Sequence, residues 1–123
     1  MGLDMYALKT KAIPDDDVDF ETQNFEPEEI HYWRKHPNLH GWMENLYYSK
    51  GGNMDSFNCT NLLLNIDDLN NLEYDISNNN LPQTAGFFFG TTNGDEVEDD
   101  LQFVRNAKEA IAEGYSVYYS SWW

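Results

Sequence analysis

The chain has 123 residues, 41% hydrophobic and 15% aromatic, which is enough apolar material for one core and too little for two. Its formal net charge of −15 sets 22 acids against seven Lys and Arg, which excludes a broad phosphate-neutralising face and disfavours an anionic membrane surface. The same charge reads either as solubility or as carboxylates offered to a basic partner.

Leu3, Met5 and Ala7 alternate with Asp4, Tyr6 and Leu8, which predicts a strand over residues 2–8. Pro14 and the run Asp15-Asp16-Asp17-Val18-Asp19 predict an exposed acidic loop over 9–25. Glu26-Pro27-Glu28-Glu29 has the composition of a helix start, with Pro in the first turn and acids at the positive end of the dipole. Ile30 and Trp33 would form the buried stripe of that helix, and Pro37 would end or kink it. A second helix is expected over 38–48, because Leu39, Trp42, Met43 and Leu46 share one face and Gly51-Gly52 stops it. Residues 57–64 read as a strand centred on Leu62-Leu63-Leu64. Asn65, with Asp68 three residues on, caps a helix whose core face is Leu69, Leu72 and Ile76 and whose end is Asn78-Asn79-Asn80. The segment 81–94 is irregular around Phe87-Phe88-Phe89. A last helix starts near Asp95, carries Val97, Leu101, Val104, Ala107, Ala110 and Ile111 at helical spacing, and ends at Gly114. Residues 115–122 close the chain as a strand, with Tyr115, Val117 and Tyr119 on one face. The expected fold class is α/β, of the α+β type: one compact domain with a small, mostly antiparallel sheet against about four helices and its terminal strands adjacent.

Cys59 is the single cysteine, so no intrachain disulfide can form. No apolar run approaches the roughly 20 residues that span a bilayer, and the N-terminal segment has no signal-peptide core. The expected compartment is the cytoplasm, with no membrane partner.

The segment His31-Tyr32-Trp33-Arg34-Lys35-His36-Pro37-Asn38-Leu39-His40 contains all three histidines, the adjacent Arg-Lys pair and no acid. On a helix, His31, Arg34 and Lys35 would share a face, with His40 and Trp42 following on the next helix. One reading is a pocket for a small anion, where Arg supplies a fork, His exchanges protons and aromatic rings form the wall. The other is that these cations pair with acids such as Glu28, Glu29 and Glu44. A histidine metal site is disfavoured, since Pro37 separates His36 from His40 and no second ligand pair has zinc spacing. Asp15, Asp17, Asp19 and Glu26 match part of a calcium-loop skeleton, but Phe20 stands where that loop needs Gly. The Gly-flanked Phe87-Phe88-Phe89 precedes a helix whose first turn is already acidic, which argues against phosphate binding. It reads instead as an aromatic contact patch or as core. Ser120 and Ser121 lack a nucleophile-elbow context. The candidate ligand-binding set is therefore His31, Arg34, Lys35, His40, Trp42 and Phe88, with no catalytic residue, metal or cofactor assigned.

Four stretches carry a resemblance: Met1-Gly2-Leu3-Asp4-Met5-Tyr6; Tyr32-Trp33-Arg34-Lys35 followed by His40 and Trp42; Leu81-Pro82 with Gly86-Phe87-Phe88-Phe89-Gly90; and Tyr119-Ser120-Ser121-Trp122. Together they span the chain, which resembles a family of small proteins from tailed phages and prophages, with members from phages of marine cyanobacteria. The acidic stretch near Asp15 and the terminal Trp123 depart from the pattern. Some members carry enzyme names, among them a glycolytic kinase, but this chain lacks the two large domains and the nucleotide site such a kinase needs. The resemblance implies a viral origin and action in the host cytoplasm, and it joins the basic island, the Phe segment and the final strand as shared segments. The expected function is a non-catalytic phage accessory protein, for host takeover or against host defence. It would bind a host protein or a small anionic molecule, with no direct nucleic-acid binding. The alternatives are a small enzyme using His and Arg on a phosphorylated substrate, or an acidic mimic of nucleic acid.

Overall fold

The alternation at the two ends of the chain pairs as expected. In a computed structural model, which describes residues 3–22, 25–34, 36–55, 57–82 and 97–122, the strands are β1 (Asp4–Thr10), β2 (Glu28–Arg34), β3 (Leu62–Leu64) and β4 (Ser116–Trp122). The helices among these residues are α1 (Pro37–Ser49), α2 (Ile66–Ser77) and α3 (Val97–Ala112). The sheet runs β2-β1-β4-β3, every neighbouring pair antiparallel, so the two terminal strands are adjacent at its centre.

Period-2 alternation separates the two faces of this sheet. Met5, Ala7, Trp33, Leu62, Leu64, Val117 and Tyr119 point to the side where the helices pack, and all are buried. Asp4, Tyr6, Tyr32, Arg34, Tyr118, Ser120 and Trp122 belong to the opposite side by their register. Leu39, Met43 and Tyr47 of α1, Leu69, Leu72 and Ile76 of α2, and Phe103, Val104 and Ala107 of α3 close the core over the first face. Each fully buried large apolar side chain stabilises the fold by about 1.5–3 kcal/mol.

Residues 28–34 correct the expectation of a helix there. They form β2, hydrogen-bonded along β1 from Asp4↔Arg34 to Lys9↔Glu28. Pro27 with its acids imitates a helix start, but only Ile30 and Trp33 supported a helical stripe. A strand gives Ile, Tyr and Trp the pleated setting they favour. A register shift opposite Ala7 and Leu8 adds one residue to β2, so Ile30 and His31 both turn towards α3. Pro37 neither ends nor kinks a helix; it opens α1, in the first turn, where its missing N–H costs nothing.

The other elements follow local signals. Asn65 Oδ1 accepts from the Asp68 N–H at 2.8 Å and Asp68 Oδ2 accepts from the Asn65 N–H at 2.9 Å, a reciprocal cap on α2. Gly114, at φ 95°, ends α3 in the left-handed region that its lack of a Cβ permits. The acidic segment is only partly the exposed loop expected. Asp15, Asp16, Asp17 and Asp19 are exposed, while Val18 and Phe20 are buried. Val18 bridges to Leu62, and the Leu63 N–H donates to the Asp17 carbonyl at 2.8 Å, so 17–19 covers the free edge of β3.

Candidate functional site

The strand at 28–34 distributes the basic island. His31 and Arg34 are three residues apart, so a strand sends them to opposite faces. Towards α3, His31 Nε2 lies 3.0 Å from Asp99 Oδ2, and its ring centroid is 4.4 Å from that of Trp33 and 5.7 Å from that of Phe103. Trp33 Nε1 donates to Asp100 Oδ1 at 2.9 Å, and His36 Nε2 donates to Asp100 Oδ2 at 2.7 Å. Asp100 is 1% exposed and His36 2%. One buried carboxylate thus ties the end of β2 and the start of α1 to the first turn of α3. A buried charge is tolerable only when paired and hydrogen-bonded in this way.

His40 is buried in the core. Its Nδ1 is 2.7 Å from the Tyr119 hydroxyl, and its ring packs 5.0 Å from Phe57. Burial lowers the His40 imidazole to about 4, against a smaller opposing effect of the Phe57 backbone. Burial also raises the Tyr119 phenol well above its ordinary value, with the Ser121 side chain partly opposing. Both groups are neutral at pH 7, and neither reaches solvent.

Arg34 lies on the other face, its side chain 56% exposed, with Nε 3.8 Å from Asp4 Oδ1. That carboxylate also accepts from the Tyr32 hydroxyl at 2.6 Å, which together with burial and the Asp4 charge raises the Tyr32 phenol. Asp4, the cross-strand neighbour, answers Arg34 where Glu29 or Glu44 was expected. Trp42 is on the flank of α1 and donates to Asp75 Oδ2 of α2 at 2.8 Å, beside a shallow groove of about 440 Å³ that Asn45, Ser49 and Pro82 help to line. His31, Arg34, His40 and Trp42 therefore occupy four separate environments and share no cleft. Lys35 and Phe88 lie outside the described residues, as does the whole Phe87–Phe89 patch.

A concavity of about 460 Å³ is lined by Asp15, Asp16, Asp19 and Glu21 with Phe20 and Phe25 at its wall. Its chemistry suits a cation, the reverse of the anion pocket expected. The described residues contain no group of three or more His, Cys, Asp or Glu placed to hold a metal ion, and no helix among them is long and apolar enough to cross a membrane.

Sequence reasoning missed Asp99 and Asp100, which answer His31 and His36 from 68 and 64 residues away. It also missed the exposed row on the outer sheet face. Reading 31–34 by period 2 pairs Tyr32 with Arg34 on one side and His31 with Trp33 on the other. That was the available signal.

These features define a small α+β domain with one sheet face under helices and one partly open. Set against known protein families, curated proteins and solved structures, the chain gives no match.

Proposed function

We propose that this chain is a non-catalytic accessory protein of the tailed-phage kind that acts in the host cytoplasm by binding a host protein with a basic contact surface. The viral assignment rests on the four sequence motifs. The observation that carries the binding reading is that four of the six described Lys and Arg residues are paired with acids. Lys9, Arg34, Lys50 and Lys108 lie 3.7, 3.8, 2.5 and 3.4 Å from Glu28, Asp4, Asp68 and Glu73. His31 and His36 lie within hydrogen-bond distance of Asp99 and Asp100. Exposed acids meanwhile remain in excess along Asp15, Asp16, Asp17, Asp19 and Glu21 and at Glu109 and Glu113. In a chain of net charge −15, the surface field attracts a basic partner and steers its approach.

A small-anion pocket or an enzyme built on His31, His40 and Arg34 has less support. Those side chains share no cleft, and a general base must come within hydrogen-bond reach of its substrate. The reading is tested by capture from host lysate on the immobilised chain, with mass spectrometry of bound proteins and metabolites. The expected result is a basic protein released steeply as salt rises from about 0.05 to about 0.5 M. Retention of a metabolite alone, or of a protein indifferent to salt, would overturn it.

A further inference from the structure

On the sheet face away from the helices, the strand register builds a two-row grid. Arg34, Asp4 and Trp122 form one row across β2, β1 and β4; Tyr32, Tyr6 and Ser120 form the next. Directly opposed side chains in such rows sit roughly 5 Å apart, and the Tyr6 and Tyr32 rings are 5.3 Å apart at 47°. Trp122 is 69% exposed and Tyr32 42%. One row further along, the chain covers its own sheet. Phe20 and Phe25 stand edge-on to Tyr118, at 5.3 and 6.3 Å. The protein shields Tyr118 with its own rings and leaves Trp122 open.

We propose that this open face is a docking surface for an arginine-bearing segment of a basic partner protein. The inference rests on, and deepens, the reading of the chain as a binder of a basic protein. Trp, Tyr and Arg are the side chains that dominate binding energy at protein interfaces, and here they adjoin on a rigid sheet. None of the described concavities includes Tyr6, Tyr32, Arg34 or Trp122. The patch is therefore suited to a macromolecular segment more than to an enclosed small molecule.

Charge selects the occupant. Asp4 answers Arg34, so the grid is locally neutral within a protein of net charge −15. A second copy would bring another −15, and nucleic acid a phosphate backbone; both are repelled. An incoming guanidinium is attracted by that field and stacks flat on indole and phenol faces, which a compact ammonium does less well. The fold already uses a cation over a ring elsewhere: Lys9 and Lys11 sit 4.5 and 4.1 Å from the Tyr115 ring centroid.

The test uses the full chain at low salt and two synthetic peptides of equal charge, one alternating arginine with glycine, the other lysine with glycine. Tryptophan fluorescence and backbone amide shifts are the readouts. The arginine peptide is expected to bind about tenfold more tightly than the lysine peptide. Its shifts should centre on Tyr6, Tyr32 and Trp122, and Trp122→Ala and Tyr32→Ala should each weaken it by about five- to tenfold. Equal affinity for both peptides, unchanged in both variants, would overturn the docking face while leaving the carboxylate-driven reading intact. Failure of both peptides to bind would overturn both readings. Binding of oligothymidylate to this face, or a Trp122-dependent dimer in sedimentation, would assign it to another occupant and equally overturn the inference.

Discussion

The two faces of the sheet use similar residues to opposite ends. Under the helices, Trp33, His31, His36 and His40 are fixed by Asp100, Asp99 and Tyr119, and the aromatic and titratable groups become joints of the core. On the outer face, Tyr32, Arg34 and Trp122 stand on strands of the same sheet, yet they are 42%, 56% and 69% open to solvent. Composition is nearly the same, so the difference is one of position: a step of one residue along β2 changes a side chain from structural to available. A basic, aromatic stretch is thus not by itself a site, because covering elements decide which half of it a ligand can reach.

The largest effect should come from breaking the joint beneath the helices. Asp100→Ala leaves Trp33 Nε1 and His36 Nε2 without their shared carboxylate in a site 1–2% exposed for Asp100 and His36. A loss of about 3–5 kcal/mol is expected in urea unfolding. A loss below about 1 kcal/mol would mean that the carboxylate is no joint.

A second test uses pH. The folded His40 imidazole lies near 4, below its ordinary value of 6.5. The neutral form is favoured in the fold, so its contribution is complete above pH 6.5 and declines as pH falls to about 4, where the decline levels off. The interval corresponds to about 3 kcal/mol. His40→Gln should remove most of that slope. Unfolding free energies of both proteins at matched pH give the difference, in which the common titration of the carboxylates cancels. Parallel profiles would show that His40 is not held neutral.

Gly52 sharpens the core side further. A Cβ there would overlap the Tyr47 ring, itself fully buried against Phe57. Gly52→Ala should cost about 1–3 kcal/mol by thermal unfolding, and an unchanged midpoint would show that the ring gives way freely. On the outer face the same measurement should barely move. Trp122→Ala is expected within about 1 kcal/mol of the parent, and Arg34→Ala, whose pairing with Asp4 is solvent-screened, within about 0.5 kcal/mol. A cost above about 2 kcal/mol at either position would make the outer face structural and erase the contrast.

Local chemistry was enough for much of the fold. The alternation in 3–8 and 115–122, the Asn65–Asp68 cap, the Leu69-Leu72-Ile76 stripe and Gly114 act over a few residues, and each led to its element. Residues 28–34 read as a helix because their neighbours in sequence favour a helix start, whereas their strand partners in β1 lie 19 to 30 residues away. A strand is completed by its partner, and the partner is not in the local window. The candidate site shows the same limit. The sequence by itself determined that cations are scarce, that five of the ten basic or histidine side chains fall within ten residues, and that the remaining surface is acidic. Only the tertiary structure decided which of them are spent. Asp99 and Asp100 on α3 capture the two histidines that face them, Asp4 answers Arg34 across the strand, and Trp122 is left open. The physical reason is that charge pairing and burial depend on distance in space, and the antiparallel sheet sets those distances between residues far apart along the chain.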